Sequence, residues 1–315
     1  MNELIPRISV ILTAYNSESF LKDAFESVFR QTLQPTQIIL VDDGSTDGTK
    51  DIAQSFDRKV LKYIWQPNQG EGAARNRGIR SASGEWIAFL DADDIWLDDK
   101  LQRQIEFVRS HPEVGLVSGN KIWWDVEKDS RHLVKYGQVP LQKLNKELIV
   151  SNIVGDPSLV LVKRDLFEKA GLFRTDLHIG VDWEMWLRIA RVTSVGFINA
   201  PLAIYRWHPK NVSHRYFPQR VDSEENISLG ALQQYPHPFE RLELYLRVRS
   251  QTQLKLTYDI IERNDSRLKQ FGYAFAALLL FPFEDSGEKI RLFLRSIIGG
   301  RIYLALKSKI QFLHR

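Results

Sequence analysis

The sequence predicts an α/β protein, with a doubly wound, mostly parallel Rossmann-like sheet followed by a C-terminal helical extension. Two observations support this fold class. Apolar runs alternate with amphipathic segments through the first part of the chain, and runs with strand character cease beyond residue 222. Alternation of this kind is typical of strands joined by crossover helices. We therefore expect an α/β domain over residues 1–221 and a helical region over residues 222–315.

Short, continuous apolar runs predict the strands, because strands covered by helices on both faces are apolar throughout. The predicted strands are 8–13, 37–42, 59–65, 85–90, 114–119, 158–163 and 194–208. The segments between them repeat apolar residues at helical spacing, as Leu21, Phe25 and Val28 do, with Ser17 as the expected N-cap of that helix. The predicted helices are 17–31, 50–56, 70–82, 97–110, 165–171 and 181–192.

The composition limits the class of protein. The 315-residue chain is 43% hydrophobic and 26% charged, and its formal charge of +4 does not predict nucleic-acid binding. It contains no cysteine, which excludes disulfides and thiolate chemistry and favours a reducing compartment. We recognise no signal peptide, and the longest uncharged apolar run, 271–283, is shorter than the about 20 residues that a spanning helix needs. A cytoplasmic protein is therefore expected.

Polar clusters follow three of the predicted strands. They read TAYN after the first strand, DDGSTD after the second and DADD after the fourth. Ligands of open α/β sheets bind beyond the carboxyl ends of the strands, so the three clusters predict one site at one edge of the sheet.

Two carboxylate pairs stand out in these clusters. Asp91 and Asp93 are separated by one residue and point the same way in an extended segment, which suits Mn²⁺ or Mg²⁺. Asp42 and Asp43 end a strand, where a carboxylate accepts hydrogen bonds from a ribose or a base. Each short motif alone is also compatible with an acidic turn that caps the following helix. The segment 70–78 adds small residues and arginines that suit a diphosphate, although helical arginines are more often solvated.

Five segments taken together resemble glycosyltransferase family 2. In order, they are ISVILTAYNSESFLKDAFESVFRQT, IILVDDGSTDGT, NQGEGAARNRGI, GEWIAFLDADDIW and VDWEMWLRIA. The resemblance covers residues 7–210 and implies the nucleotide-diphospho-sugar transferase (GT-A) fold. Five motifs in the family's order are far more specific than any one of them.

The resemblance also implies roles for individual residues. The nucleotide-sugar residues it implies are Thr13, Ala14, Tyr15, Asp42, Asp43, Arg75, Asp91 and Arg206. Asp91 and Asp93 match the family's Asp-x-Asp metal motif, and His208 lies in a late basic loop that would help to ligate the metal. Asp182 falls at the position of the catalytic base, but Val181 replaces the glutamate that precedes it in the family. Glu184 is therefore an alternative base.

The expected activity is that of an inverting, metal-dependent glycosyltransferase. A divalent ion, Mn²⁺ or Mg²⁺, polarises the leaving diphosphate, and a base activates an acceptor hydroxyl on the opposite face of the sugar. The expected donor is a UDP-sugar, and the expected acceptor is a glycan or lipid-linked glycan in surface polysaccharide synthesis. A catalytically inactive nucleotide-sugar-binding relative and a nucleotidyltransferase are the alternatives.

Two features leave a structural and a functional interpretation open. Residues 286–315 interleave seven lysines and arginines with large apolar residues, which predicts either peripheral membrane contact or helices packed on the protein or in a dimer. Trp183 and Trp186 flank the expected base and predict either sugar stacking or core packing. Trp123 and Trp124 belong to no motif.

Overall fold

The protein is described by a computed structural model. The described residues are 6–56, 59–136, 143–209, 211, 217–233, 237–262, 267–280, 289–290 and 292. The chain divides into two compact units. The first comprises Met1–Leu148 and Asn152–Arg215, and the second comprises Ile149–Ser151 and Tyr216–Arg315.

The first unit is built on one mixed sheet. Its strands are β1 (Ile8–Ala14), β2 (Gln37–Asp42), β3 (Leu61–Trp65), β4 (Trp86–Asp91), β5 (Ile95–Trp96), β6 (Val114–Asp125), β7 (Ser130–Val134), β8 (Leu161–Lys163) and β9 (Ser194–Trp207). They are ordered β3-β2-β1-β4-β8-β6-β9-β5, with β7 paired to β6. Strands β3, β2, β1 and β4 are mutually parallel, whereas β8, β5 and β7 pair antiparallel to their neighbours. The predicted α/β fold, with a mostly parallel sheet, is confirmed.

Helices connect the strands and make up the described part of the second unit. They are α1 (Leu21–Phe29), α2 (Thr49–Ser55), α3 (Glu71–Ser81), α4 (Lys100–Ser110), α5 (Leu144–Val150), α6 (Leu166–Ala170), α7 (Val181–Ile189), α8 (Phe217–Leu232), α9 (Pro238–Glu262) and α10 (Arg267–Leu280). In the second unit, Leu254 of α9 packs with Ala274 and Ala277 of α10 and with Leu292. Among the described residues, every helix falls short of the length and hydrophobicity that crossing a membrane requires.

The central strands are covered on both faces, as their continuous apolar runs predict. Val10, Ile11 and Leu12 of β1 are all fully buried, although successive side chains of a strand point to opposite faces. Gly78 shows how closely α3 packs on β1, because a Cβ on this glycine would lie 2.4 Å from Cγ2 of Ile11. This packing holds the C-terminal half of α3 against the middle of β1.

The structure differs locally from three expectations. Helix α1 begins at Leu21 with Phe20 at its N-cap, and the Ser17 carbonyl, rather than its hydroxyl, accepts the amides of those two residues at 2.9 and 3.0 Å. The strand expected at 158–163 starts as a 3-10 helix at Pro157–Leu159. Strand β6 runs past the expected end at 119 because it continues into a hairpin with β7. Apart from residues 289, 290 and 292, the basic segment 286–315 lies outside the described residues.

Candidate active site

The sheet register brings the polar strand ends together. Thr13 of β1 pairs with Asp91 of β4, and Ala14 pairs with Asp42 of β2. The Thr13 hydroxyl donates to Oδ1 of Asp91 at 3.1 Å, so the first and fourth strands are joined at this edge. Tyr15 follows with 54% of its surface exposed. The arrangement is the one that the alternation of strands and polar clusters predicts.

Arg75 occupies the base of this edge. It projects from α3, is only 2% exposed, and donates from Nη2 to Oδ1 of Asp91 at 2.8 Å and from Nη1 to Oε2 of Glu71 at 3.0 Å. Burial disfavours its charge, but the Asp91 and Glu71 carboxylates outweigh burial, so the pKa of Arg75 is raised. Arg75 is therefore a permanent cation in contact with the first carboxylate of the Asp-x-Asp motif.

Asp93, the second carboxylate of that motif, faces a different group. Its Oδ2 lies 3.3 Å from Nε2 of His208 and accepts from Nδ2 of Asn211 at 3.1 Å. The His208 ring stacks on Phe20, with 4.5 Å between the ring centres. Nδ1 of His208 is buried without a hydrogen-bond partner among the described residues, so stacking and the Nε2 contact hold the imidazole in place. The late basic loop thus contacts the Asp-x-Asp motif, as the family resemblance implies.

Arg206 is a bracing residue in this structure. It is 2% exposed, and its backbone amide and its side chain both donate hydrogen bonds to the loop that carries Asp93 and Asp94. Nε donates to the Asp93 carbonyl, Nη1 to Oδ2 of Asp23 at 2.6 Å and Nη2 to the Phe20 carbonyl at 3.0 Å. The guanidinium therefore ties β9 to the Asp-x-Asp loop and to the start of α1.

Asp94 is fully buried and has no direct access to a ligand. Its Oδ2 accepts from the Ser158 hydroxyl at 2.5 Å, and its Oδ1 lies 3.3 Å from the Arg206 amide. Burial, with the nearby carboxylates of Asp93 and Asp91, holds the pKa of Asp94 well above its usual range. Ser158 also accepts from the Asp91 amide at 3.1 Å, so it fixes the backbone of the motif.

A divalent ion fits the pair of Asp93 and His208. Among the described residues, no three histidine, aspartate or glutamate side chains are grouped so that they would hold a metal unaided. Asp93 and His208 nevertheless offer a carboxylate oxygen and an imidazole nitrogen side by side. Such a mixed donor set accepts a divalent ion such as Mn²⁺, and Mg²⁺ or Mn²⁺ in phosphate-transfer sites commonly takes further oxygens from the substrate.

Asp42, the last residue of β2, and Asp43, which follows it, are both buried and accept hydrogen bonds from backbone amides of nearby loops. Asp42 accepts from the Tyr63 hydroxyl at 2.7 Å and from the Ser45 amide at 2.8 Å. Asp43 accepts from Nε2 of Gln66 at 2.7 Å and from the amides of Gln69 at 3.0 Å and Gly70 at 2.8 Å. Asp43 therefore organises the loop that leads into α3 and Arg75.

The loops that follow β1 and β2 are cross-linked by side chains. Asn16 adopts a left-handed backbone with φ of 49°, which places its Oδ1 2.9 Å from the Thr46 amide. Further hydrogen bonds run from Asn16 N to Ser45 Oγ at 2.9 Å, from Glu18 N to Asp47 Oδ2 at 3.1 Å and from Gly48 N to Glu18 Oε2 at 2.7 Å. Each loop thus supplies both donors and acceptors to the other, and we refer to the pair as the interlocked loops.

Asp182 has the environment of a base. It is half-buried in the first turn of α7, and its Oδ2 lies 3.4 Å from Nδ2 of Asn152. Burial is the largest influence on it, and together with the Asp156 carboxylate it raises the pKa of Asp182 to about 6, against the lowering influence of Arg75. Gly72 of α3 lets the chain before α7 and the first residue of α7 approach, because a Cβ there would lie 2.5 Å from the Arg174 carbonyl and 3.3 Å from Val181 Cγ1.

Glu184, the alternative base, forms an ion pair with Arg188. Its two oxygens accept from Nε and Nη2 of Arg188 at 2.8 and 2.7 Å, in a bidentate pair one helical turn apart. Trp183 and Trp186 are 2% and 0% exposed, and their indole N–H groups donate to the carbonyls of Leu148 and Gly155. The core-packing interpretation of these two tryptophans is therefore correct.

Three residues near Asp182 belong to none of the sequence motifs. Lys121 of β6 is buried and forms an ion pair with Asp156, and Tyr136 is hydrogen-bonded to the same lysine. Burial works against the charge, but Asp156 outweighs it and the pKa of Lys121 is raised. No local pattern links the lysine and the aspartate, because they lie 35 residues apart in the chain and meet only through the sheet.

Comparison with known proteins identifies the family of this chain. The family model described as glycosyl transferase family 2 matches residues 9–171. An uncharacterized glycosyltransferase of Rickettsia typhi is 31% identical over 71% of this chain and 71% of its own length. A putative teichuronic acid biosynthesis glycosyltransferase, TuaG of Bacillus subtilis, is 29% identical over 66% of this chain and 82% of its own length. The chain therefore belongs to glycosyltransferase family 2.

Two solved structures share the fold. Residues 1–349 of TarS from S. aureus, in complex with UDP-GlcNAc, superpose with a TM-score of 0.63 at 17% identity, covering 94% of this chain and 91% of that one. The mannosyltransferase PcManGT of Pyrobaculum calidifontis, in complex with GDP-Man and Mn²⁺, gives a TM-score of 0.60 at 18% identity, covering 93% and 87%. The predicted GT-A architecture and the glycosyltransferase class are thus both confirmed.

Proposed function

We propose that this chain transfers a sugar, with inversion, from a nucleotide-diphosphate donor to a hydroxyl group of a glycan or lipid-linked acceptor. The donor is a UDP-sugar, and the reaction depends on a divalent metal, Mn²⁺ or Mg²⁺. The observation that carries the proposal is the half-buried Asp182, whose pKa of about 6 suits proton abstraction near neutral pH. Its charge acts on Arg75, which is bonded directly to the Asp-x-Asp motif.

The metal and the basic residues act on the leaving diphosphate in this proposal. Asp93 and His208 would hold the ion, and a divalent ion bound there would supply positive charge to stabilise the leaving diphosphate. Arg75 holds Asp91 and adds a fixed positive charge below the diphosphate. The bracing by Arg206 keeps the Asp-x-Asp loop in place, so this residue contributes through position rather than through a free donor group.

The nucleoside lies against the interlocked loops in this proposal. Thr13 and Ala14 form its floor, and the exposed Tyr15 lies beside it. Asp42 and Asp43 shape the pocket by fixing the backbone of the adjacent loops. TarS in complex with UDP-GlcNAc, which shares the fold, supports the choice of a uridine donor.

Acceptor and location belong to the same proposal. TuaG is named for teichuronic acid biosynthesis, and the similarity supports an acceptor in surface polysaccharide or glycoconjugate synthesis. We place the enzyme in the cytoplasm, with peripheral membrane contact through the basic segment 286–315. The catalytic domain comprises residues 1–221, and the helical region 222–315 serves attachment.

Calorimetry and turnover test the proposal on separate steps. We expect UDP to bind the intact chain in the presence of Mn²⁺ and to lose that metal dependence in Asp93→Ala. We expect Asp182→Asn to bind UDP as the wild type does, but to lower UDP release from a panel of UDP-sugars by about 10²–10⁴-fold. Glu184→Gln is the matched control, and it retains turnover.

Three outcomes would contradict parts of the proposal. Absence of UDP binding with metal present would refute the donor class. Unchanged turnover in Asp182→Asn would remove Asp182 as the base. UDP binding without turnover of any nucleotide sugar would identify an inactive relative.

A further inference from the structure

A patch of aromatic side chains lies on one face of the sheet beyond the nucleotide-sugar residues. Trp123 of β6 pairs in register with His132 of β7 and with Tyr205 of β9, so the three side chains stand on the same face. Trp207, two residues after Tyr205, joins them. We refer to Trp123, His132, Tyr205 and Trp207 as the aromatic patch.

The rings of the aromatic patch are in mutual contact. The Trp123 ring lies 4.8 Å from the Trp207 ring, 5.1 Å from Tyr205 and 6.1 Å from His132, with interplanar angles of 32°, 37° and 26°. His132 is exposed, and the other three are half-buried. At these distances and angles neighbouring rings stack on one another, so the four side chains form one contiguous aromatic surface that is not buried.

One end of the aromatic patch reaches the candidate base. Lys121, two residues before Trp123 on the same face, has its Nζ 4.3 Å from the Tyr205 ring centre and 5.6 Å from that of Trp123. The same ammonium pairs with Asp156, whose carboxylate acts on Asp182. The patch is thus continuous, through Lys121 and Asp156, with the catalytic end of the site.

We propose that the aromatic patch binds the acceptor, and that the occupant is a saccharide chain whose sugar rings lie on Trp123 and its neighbours. The apolar C–H face of a pyranose is attracted to the negative face of an aromatic ring, while its hydroxyl groups need hydrogen-bonding partners at the rim. The partly exposed Asp156 carboxylate, held by Lys121, supplies such a partner at the inner end, next to Asp182. This inference rests on the proposed function, and it names the acceptor as a glycan held by its rings.

Trp124 provides a matched control on the same strand. Its side chain points to the opposite face, its indole N–H donates to Oδ1 of Asp129 at 2.9 Å, and the Arg131 guanidinium lies 4.0 Å from its ring centre. Trp124, like Trp123, is half-buried. Only Trp123 belongs to the aromatic patch.

The experiment measures saccharide and nucleotide binding on the intact chain. Cellotetraose, chitotetraose and maltotetraose are titrated by saturation-transfer NMR in the presence of UDP and Mn²⁺, and UDP affinity is measured separately as the check on fold and donor site. We expect at least one tetrasaccharide to bind the wild type, with a dissociation constant that rises about tenfold in Trp123→Ala. Trp124→Ala leaves it unchanged, and Trp123→Phe restores most of the affinity.

Failure of the inference and failure of the proposed function give different results. UDP binding with equal tetrasaccharide affinity in Trp123→Ala and the wild type would refute the acceptor surface alone. Binding of none of the three tetrasaccharides to the wild type would refute it as well. Absence of UDP binding to the wild type with Mn²⁺ would refute the proposed function, whatever the tetrasaccharides do.

Discussion

At the scale of single residues, each acidic side chain of the site has its own counterpart. Asp91 is held by Arg75, and Asp93 by His208 and Asn211. Asp156 is paired with Lys121. Asp182 is the exception, since its described contacts are with the Asn152 side-chain amide and the Trp183 backbone amide, and no ion pair with a cation is found for it among the described residues. Its burial therefore costs stability, and the same burial makes it basic.

Because the burial of Asp182 destabilises the fold, we expect its replacement to raise the free energy of unfolding by an amount that depends on pH. Its pKa of about 6 in the folded protein exceeds the ordinary 3.8, so the free energy of unfolding falls as pH rises from about 4 to about 6 and stays low above that. Asp182→Asn removes this loss, and we expect it to be more stable than the wild type at about pH 8, by at most about 3 kcal/mol. Thermal unfolding at about pH 4.5 and pH 8 measures the effect, and the gain should shrink at the lower pH.

The control for that experiment lies on the same helix. Glu184→Gln removes the bidentate pair with Arg188 and relieves no comparable burial, so it should lower the unfolding temperature at about pH 8. A lower unfolding temperature for Asp182→Asn at about pH 8 would show that Asp182 stabilises the fold.

At the scale of elements, the sequence predicts strands and helices wherever one pattern dominates. The middles of strands β1, β2 and β4 are continuously apolar because both faces are covered, and the boundaries of these strands lie within one residue of those expected. The second half of β6 mixes Lys121 with aromatic residues, because its side chains serve the aromatic patch instead of a core. Strand β5 has only two residues and is specified by its pairing with β9, which no local pattern reveals.

Glycines in different helices predict opposite responses to one added methyl group. Gly230 in α8 and Gly272 in α10 have nothing within 4 Å of an added Cβ, so alanine at either should raise the free energy of unfolding by about 0.5–1 kcal/mol. Gly78→Ala in α3 would place its Cβ 2.4 Å from Ile11 and should cost about 1–3 kcal/mol. Urea unfolding of the three variants measures the difference, and a stabilised Gly78→Ala would contradict the close packing of α3 on β1.

At the scale of the whole molecule, the family resemblance predicts which residues matter better than it predicts what they touch. It places Asp93 and His208 together, and the structure brings them within 3.3 Å. The resemblance predicts that Arg206 binds the diphosphate. In the structure, Arg206 is buried and bonded to the Asp93 carbonyl and to Asp23, because a long side chain two residues from His208 can turn to either side of the loop. The resemblance does not predict the pair of Lys121 and Asp156, because this pair depends on the pairing of distant strands.

The basic segment 286–315 predicts attraction to anionic membranes. Arg301, Lys307 and Lys309 contribute three of its seven lysines and arginines. We expect replacement of all three by glutamine to weaken sedimentation with phosphatidylglycerol-containing vesicles about a hundredfold, since each basic residue near such a surface contributes about 1 kcal/mol.

A second triple variant controls for net charge. Lys22, Lys50 and Lys62 are exposed on the first unit, and replacing them by glutamine changes the net charge by the same amount. This variant should sediment as the wild type does. Equal sedimentation of both triple variants, or of the wild type with neutral vesicles, would exclude an electrostatic membrane contact through 286–315.

The interlocked loops limit how the enzyme can be altered. Because Asn16 and Glu18 on one loop exchange hydrogen bonds with Ser45, Thr46 and Gly48 on the other, the two loops form one cooperative unit. Substitutions in residues that share partners have non-additive effects on stability, so their energies cannot be summed one by one. A library that aims at a new donor nucleotide should therefore exchange residues 15–18 and 45–48 together, as a single cassette from one relative. Recombination with a breakpoint between the two segments would combine mismatched halves of one hydrogen-bond network.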